Sequence, residues 1–282
     1  MKVFFGTSGN PPNFFDSKFG KDRINAPEWL HSIGLNAYEV LFTYGAKMPK
    51  ERAKQLGINA KKFGIKLSVH APYYCVFTSP DKGVVQRSHQ RMKKTIELAH
   101  TMGATKIVLH PGFHNVPKAL DKFIREIKKV EKWKKEKGYK VIICPETMGR
   151  PSQLGSIEEI ISMCEQVPGL EPCVDFGHVH AREGGSLKST DRYIEILESI
   201  KKQLGLKVLR SLHCHFYPVE YTEKGEKTHR AFSEKAFYPK FNHFASLIQK
   251  YNMKPTLISE SKNSQDGAAL AMKRSLKRSK YC

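Results

Sequence analysis

Six residues of types that bind metal ions recur along the chain, each at the end of a short apolar run. They are His70, His110, Glu146, Asp175, His213 and Glu260. If these runs are parallel strands of one closed sheet, their carboxyl ends all meet on one face, so the six side chains share a pocket. Imidazole and carboxylate without thiolate suit zinc, manganese or iron. The pattern therefore predicts a metal centre built from strand ends.

Further histidines lie just beyond these ends. His178 and His180 follow Asp175 in a segment expected to be a loop, His215 follows His213, and His229 lies in the next loop. His213 and His215 share one strand face because side chains alternate with a period of two, so both are expected to line the pocket. For each outer histidine taken singly, a structural role fits the sequence equally well. Taken together, they favour two or more ions.

A polynuclear site of this composition favours phosphoester hydrolysis. A carboxylate such as Glu146 is able to bridge two ions, which then orient the phosphate and stabilise both the attacking and the leaving oxygen. The net charge of +21, from 48 Lys and Arg against 27 Asp and Glu, favours a polyanionic partner such as nucleic acid. The alternative is a lysine-rich solvated surface, but such surfaces usually balance Lys with Glu.

Apolar strand-like runs alternate with amphipathic segments along the whole chain. The predicted strands are 2–7, 36–42, 65–70, 105–110, 140–146, 170–175, 207–215 and 256–261. The predicted helices are 26–34, 49–62, 84–102, 117–138, 155–165, 189–204, 238–250 and 266–280. Eight alternating pairs predict a (β/α)8 (TIM) barrel forming a single domain over residues 1–282. A doubly wound open sheet is the alternative, but GTSGNPP after the first run is not its glycine-rich phosphate loop.

The sequence also bears on where the chain resides. It contains no apolar stretch of the roughly 18 residues that a membrane span needs, and its first residues lack a signal-peptide pattern. The six cysteines form no CxxC pair, which argues against a disulfide framework or a thiolate zinc site. We therefore expect an intracellular, cytoplasmic protein that does not associate with membranes.

Four motifs in order along the chain resemble the metal-site motifs of the endonuclease IV family of apurinic/apyrimidinic endonucleases. They are VHAPYY (69–74), VLHPGF (108–113), ETMGRPSQLGS (146–156) and CVDFGHVHA (173–181). The resemblance implies zinc, with two or three ions, although manganese also suits the ligands. It implies one ion on His70, His110 and Glu146, a second on Glu146, Asp175, His213 and Glu260, and a third that uses His178 and His229. Glu146 and Glu260 are accordingly the expected catalytic residues.

The resemblance extends to substrate contacts and includes one departure at the third ion. Tyr73 corresponds to a tyrosine that packs near the abasic nucleotide, and Lys47 lies near the position of an arginine that enters the DNA. The family places an Asp two residues before the last His, whereas this chain has Lys227 there. Glu226 or His215 would have to substitute, or the third site is weak or empty.

By this resemblance the chain is a monomeric endonuclease that binds double-stranded DNA containing an abasic site. It would cleave the phosphodiester 5′ to that site and leave a 3′-hydroxyl. The main alternative is a sugar isomerase or epimerase of the xylose-isomerase-like barrels, because Glu146, Asp175, His213 and Glu260 also match that group's single-metal site. Glu39, on the second strand, leans toward that alternative. A non-catalytic nucleic-acid-binding barrel fits the charge but leaves the ligand residues unexplained.

Overall fold

Eight parallel strands form the centre of the computed structural model, which describes residues 2–278. They are β1 (Phe4–Ser8), β2 (Ala37–Leu41), β3 (Lys66–His70), β4 (Lys106–Leu109), β5 (Ile142–Pro145), β6 (Cys173–Asp175), β7 (His213–Phe216) and, after a hairpin of β8 (Val219–Thr222) and β9 (Gly225–His229), β10 (Thr256–Ser259). Hydrogen-bonded neighbours follow the order β5, β4, β3, β2, β1, β10, β7, β6. Parallel bridges from Ile143 to Leu170 and from Glu146 to Cys173 connect β5 to the segment of β6. The predicted (β/α)8 barrel is thereby confirmed.

Helices between the strands cover the outside of the barrel. They are α1 (Pro12–Phe15), α2 (Ala26–Ser32), α3 (Lys50–Lys62), α4 (Lys82–Thr101), α5 (Ala119–Glu136), α6 (Ile157–Gln166), α7 (Phe176–Arg182), α8 (Asp191–Leu204), α9 (Leu206–Arg210), α10 (Phe241–Lys250) and α11 (Gln265–Arg278). In α5, for example, Phe123, Ile127 and Val130 recur at helical spacing and are fully buried against the barrel. No helix within residues 2–278 is both long and apolar enough to cross a membrane.

The eight predicted helices correspond to α2 to α6, α8, α10 and α11, with ends that agree within three residues where the structure describes them. Residues 279–280 of the last predicted helix and Cys282 lie outside the described residues. The assignment of residues 1–282 to one domain stays a prediction. The other five cysteines are free and buried.

The interior of the barrel is unusually polar. Barrels of this type are normally filled by branched apolar side chains, but here Glu39 on β2 contacts His213 on β7, and β2 and β7 are not neighbours in the sheet. Their contact must therefore cross the interior. Lower in the barrel, Lys66 Nζ donates to Thr256 Oγ1, and Lys106 Nζ lies 2.8 Å from Glu171 Oε2. The apolar faces of the strands point outward, toward the helices.

The predicted strand 207–215 is wrong over most of its length. Residues Leu206–Arg210 form α9, and the strand runs only from His213 to Phe216. His215, rather than His213, therefore lies near the carboxyl end of β7. Two segments expected to be loops are also regular. His178 lies on α7, whose N-cap is Asp175, and His229 ends the second strand of the β8–β9 hairpin.

Candidate metal centre

His70, His110 and Glu146 form the first set of ligand-type side chains. Glu146 Oε2 lies 3.3 Å from His70 Nε2 and 3.0 Å from His110 Nε2. His70 Nδ1 donates to the carbonyl of Ala71 at 2.9 Å, which leaves Nε2 facing the carboxylate. Burial opposes a charge on His70, but hydrogen bonding to Glu146 outweighs it and raises the pKa of His70 to about 9. The structure brings this predicted set together.

A second set lies on the other side of the same carboxylate. Glu146 Oε1 is 2.8 Å from His215 Nδ1, and that nitrogen is 3.6 Å from Asp175 Oδ2 and 3.5 Å from Glu260 Oε1. Ser8 Oγ donates to Glu260 Oε1 at 2.8 Å and fixes that carboxylate. The imidazole of this set is therefore His215 and not His213. The reason is the short β7 strand, which places His213 one layer deeper.

Glu146 lies between the two sets, one oxygen toward each. Burial would raise its pKa, but the imidazoles of His215, His110 and His70 hold the pKa of Glu146 well below its usual range. A carboxylate that presents its two oxygens to separate groups of ligands has the geometry of a bridge between two cations. This is the arrangement that the sequence resemblance implied for Glu146.

The third set joins α7 to the hairpin. Glu226 Oε2 is 3.0 Å from His178 Nε2, and Glu226 Oε1 is 2.9 Å from His229 Nε2. The other nitrogen of each ring donates to a backbone carbonyl: His178 Nδ1 to Thr147 at 2.8 Å and His229 Nδ1 to Glu260 at 3.0 Å. Despite the cost of burial, these two imidazoles lower the pKa of Glu226 far below its usual value.

A β-bulge accounts for the departure at Lys227. In the hairpin, Tyr221 pairs with Glu226 and Glu220 pairs with Thr228, so Lys227 is one extra residue in β9. In a regular strand, residues three apart face opposite sides, but one inserted residue returns Glu226 and His229 to the same side. Lys227 turns outward, where Nζ lies 2.6 Å from Glu220 Oε1. Glu226, and not Lys227, is thus the residue that contacts both His178 and His229.

Two glycines allow the hairpin to approach the third set. The backbone N–H of Glu226 donates to the carbonyl of Gly149 at 3.0 Å. A Cβ at Gly149 would lie 2.8 Å from Glu226 Cβ and 2.9 Å from His178 Cδ2, which is closer than real Cβ contacts come. Gly225 has φ +90°, and a Cβ there would collide with the carbonyl of Gly149. Tyr217 stacks on His229 with ring centroids 3.9 Å apart.

Below the three sets, His213, Glu39 and Cys173 are fully or almost fully buried. Glu39 Oε2 accepts from Ser68 Oγ at 2.8 Å and lies 2.9 Å from His213 Nε2. Burial lowers the pKa of His213 to about 4, so this ring is neutral at pH 7 and donates to Glu39. His213 also belongs to a cluster of potential ligand atoms with Cys173 and His215. It does not join the set of Glu146, Asp175 and Glu260.

The remaining predicted residues lie around the mouth. Tyr73 is half exposed, and its ring stacks on His110 with centroids 4.9 Å apart. Lys47 lines a separate cavity of about 610 Å³ between the segments that follow β1 and β2, together with exposed Tyr44. His180 faces away from the centre, because its Nδ1 accepts from the backbone N–H of Leu187 at 3.0 Å. Leu41, Tyr74 and Phe113 are further exposed apolar side chains at strand ends, which the sequence reasoning did not single out.

The carboxylates and imidazoles of this region are suitable ligands for cations. Five carboxylates converge in this region, namely Glu39, Glu146, Asp175, Glu226 and Glu260, and within residues 2–278 none of them forms an ion pair with Lys or Arg. Asp175 divides its roles: Oδ1 accepts from the backbone N–H of His178 at 2.8 Å as the N-cap of α7, whereas Oδ2 is buried without a hydrogen-bond partner. A buried carboxylate oxygen that faces imidazoles and has no hydrogen-bond partner fits a ligand of a cation.

Comparison with known sequences supports a shared family. A family model described as a xylose isomerase-like TIM barrel matches residues 27–282. An uncharacterised protein of Methanocaldococcus jannaschii is 28% identical over 289 residues, covering 97% of both chains. A probable endonuclease 4 of Mycoplasma pneumoniae is 32% identical over 165 residues, which are 56% of this chain and 54% of that protein. The alignment with this endonuclease 4 relative thus spans about half of its length.

Solved structures show the same fold. Endonuclease IV from Thermus thermophilus superimposes with a TM-score of 0.71 at 15% identity, covering 99% of this chain and 100% of the other. A D-tagatose 3-epimerase-like protein gives a TM-score of 0.69 at 19% identity, covering 90% of this chain and 91% of the other. At such identities these likenesses establish the barrel and leave the reaction open. The resemblance to endonuclease IV noted in the motifs is supported by both comparisons.

Proposed function

The chain belongs to the xylose isomerase-like TIM barrel family, and on that premise we propose that it is a metal-dependent apurinic/apyrimidinic endonuclease of DNA repair. It hydrolyses the phosphodiester 5′ to an abasic site in double-stranded DNA and leaves a 3′-hydroxyl. Its ions are two or three Zn²⁺, with Mn²⁺ as the other metal that the ligands suit. It acts as a monomer in the cytoplasm.

The observation that carries this proposal is the presence of three adjacent ligand sets arranged around one carboxylate. His70 and His110 face one oxygen of Glu146, and His215 faces the other. The set of His178, Glu226 and His229 adjoins them, since His178 Nδ1 is 3.7 Å from Glu146 Oε1. An isomerase with a single ion needs only one set. Several ions a few ångströms apart suit the displacement of an oxygen at phosphorus.

The residues around Glu146 would have different roles in the reaction. Glu146 would hold two ions at a fixed separation, and Glu260, the more exposed carboxylate of the second set, lines the side open to substrate. Ions held there would supply Lewis-acid activation of water and of the phosphate. Tyr73 offers its exposed ring beside His110, where a deoxyribose without a base leaves room for an aromatic side chain.

Charge and substrate chemistry agree with a damaged duplex. The excess of Lys and Arg, with a net charge of +21, supplies affinity for the phosphate backbone that does not depend on sequence and falls as salt is added. An abasic nucleotide has no base to unstack or unpair, so it leaves the helix at a lower cost than the few kcal/mol typical of a normal nucleotide. Both features favour this substrate over a neutral sugar.

The direct test is incubation of the purified protein with a duplex that contains one abasic site, with and without a chelator. We expect a nick 5′ to the site that disappears with chelator and returns when zinc is added. A polymerase that extends only from a 3′-hydroxyl checks the chemistry of the end. The same duplex with an intact nucleotide is the control. Absence of chelator-sensitive nicking would rule out the proposed activity.

A ketose epimerase or isomerase is the second candidate, and one observation favours it. Glu146, Asp175, His215 and Glu260 alone supply enough ligands for one ion, and epimerases are among the proteins that share the fold. If this function is correct, the protein binds one ion per chain and converts ketoses, and His70→Ala or His110→Ala leaves that conversion unchanged. Metal analysis of these two variants separates the candidates.

A further inference from the structure

Glu39 lies directly beneath the second ligand set and is fully buried. Its Oε2 is anchored by Ser68 Oγ at 2.8 Å and by His213 Nε2 at 2.9 Å. Its Oε1 lies 2.9 Å from His215 Nε2, and neither of these two atoms has a hydrogen-bond partner among residues 2–278. The two atoms are thus at ion-pair distance, and Cys173 also lies close to the His215 ring.

The histidines of the other sets differ from His215 in which ring nitrogen faces the candidate metal centre. In His70, His178 and His229 the Nδ1 is held by a backbone carbonyl, and Nε2 faces a carboxylate of the centre. His215 is reversed: Nδ1 faces Glu146, and Nε2 points down the barrel toward Glu39. A ligand histidine nearly always gives its second N–H to an oxygen, which fixes the ring and the position of its proton. For His215 the oxygen that lies against Nε2, at 2.9 Å, is Oε1 of Glu39.

We propose that Glu39 is a positioning residue for the metal centre: it keeps the proton of His215 on Nε2, so that Nδ1 carries the lone pair and binds the ion of the second set. Glu39 does not touch substrate, because it has no exposed surface and is covered by His215. Ser68 and His213 keep its carboxylate oriented from below. This role rests on the proposed metal centre and also accounts for a charged side chain on β2 of a barrel interior.

The first test determines, in the wild-type protein, which nitrogen of each histidine ring carries the proton and which binds metal. Two-bond ¹H–¹⁵N correlation spectra of the zinc-loaded, histidine-labelled protein distinguish a protonated from a metal-bound nitrogen. We expect one imidazole, assigned to His215 by its absence in His215→Gln, to bind through Nδ1 with a protonated Nε2. The rings of His70, His178 and His229 should bind through Nε2. Binding of His215 through Nε2 would overturn the proposal, whatever the enzyme's activity.

The second test measures zinc affinity by competition with a chromophoric chelator, starting from protein stripped of metal. Glu39→Leu should weaken one zinc site by about 10–100-fold, the effect of losing such a partner in other metal proteins. Glu39→Gln should weaken it less, because its amide keeps a neutral oxygen that can face Nε2 of His215. Glu131→Gln is the control, since Glu131 is also a buried carboxylate, 3% exposed, but lies on the outer helix α5 beside Lys134.

The outcomes separate this inference from the proposed function. If the wild-type protein binds no metal, both fail. If it binds metal but a folded Glu39→Leu keeps every site at wild-type affinity, only the role of Glu39 fails. An equal loss in Glu131→Gln would also overturn the role, because it would mark a general effect of removing a buried carboxylate. Should Glu39→Leu not fold, the decision passes to Glu39→Gln and the spectra, which do not depend on that variant.

Discussion

The two sides of the candidate metal centre are built in different ways. On one side, His70 ends β3 and His110 follows β4, so the barrel itself holds their backbone. On the other side, His178 lies on α7, and Glu226 and His229 lie on a two-stranded sheet separate from the barrel. The barrel side follows from the topology of the fold alone. The other side, which we call the appended side, consists of α7 and the β8–β9 hairpin. It also requires the N-cap of α7, the β-bulge in β9, and the glycines at positions 149 and 225.

This difference has an energetic consequence. Exposure varies within each side: the side chains of His70 and His110 are 4% and 24% exposed, and those of His178 and His229 are 7% and 31% exposed, so the hairpin residue is the most exposed of the four. The hairpin strands pair with each other and approach the barrel through contacts such as that between Glu226 and Gly149. Regions with fewer buried contacts open at lower free-energy cost. We therefore expect an ion on the appended side to be bound more weakly and released first.

Glu146→Gln tests the shared element and should have the largest effect. The amide cannot present two anionic oxygens to two cations, so the barrel set and the His215 set should both lose affinity. We expect cleavage of the abasic duplex to fall by about 10³-fold or more, equivalent to about 4 kcal/mol. Affinity for the duplex, measured by fluorescence anisotropy, should change little. Retention of full activity would exclude a bridging role.

Much of the barrel side was predictable from the sequence. His70, His110, Glu146, Asp175 and Glu260 lie together because the carboxyl ends of parallel strands converge, whatever the details of packing. The strand ends themselves follow from short apolar runs followed by Pro, Gly or polar residues. His213 misled this reasoning, since KVLRSLHCH has the composition of one long strand, whereas its first half forms a helix that packs against α8.

The appended side could be predicted only in part. Both histidines were expected there, but the ligand at Glu226 depends on a one-residue bulge, and a bulge changes which residues share a face without a strong local signal. Gly225, directly before Glu226, is the one local feature of the sequence that indicates irregular backbone at this point. The partner of His215 was likewise hidden: Glu39 is visible as a charge in an apolar strand, but not the ring nitrogen that it faces.

Glu226→Gln should separate the two sides. Loss of one carboxylate from the third set is expected to weaken zinc there by up to about 100-fold while the barrel sets keep their affinity. Lys227→Ala is the matched control, because the neighbouring side chain points outward to Glu220. Its zinc affinities should stay within about twofold of wild type. A larger loss in Lys227→Ala than in Glu226→Gln would contradict the bulged register.

The appended helix α7 itself has two faces, which differ in their response to pH. His178 faces the centre, whereas His180 is 1% exposed and burial lowers its pKa to about 4. In the unfolded chain the imidazole of His180 has a pKa near 6.5. The stability that comes from its neutral form is therefore complete above about pH 6.5 and is lost as the pH falls toward 4.

For the metal-free protein we expect protonation of His180 to lower the free energy of unfolding by about 2 kcal/mol between pH 6.5 and pH 4. Urea unfolding of wild type and His180→Asn measures it as the difference between their pH profiles. Asn keeps an acceptor for the N–H of Leu187 but does not titrate. Parallel profiles over this range would show that His180 takes up its proton as readily in the folded as in the unfolded state, so that its pKa is not lowered.

Gly149→Ala should give the smallest effect, confined to the appended side. The backbone of Gly149 is not in the left-handed region, so alanine is tolerated locally, but its Cβ would press on Glu226 and His178. The hairpin must yield by a few tenths of an ångström, which should cost about 1 kcal/mol and weaken the third zinc site by about fivefold. Gly267→Ala on α11 is the control, because a Cβ there meets nothing within 4 Å. Equal loss from the barrel sets would mean that the two sides move as one unit, and the comparison between them would fail.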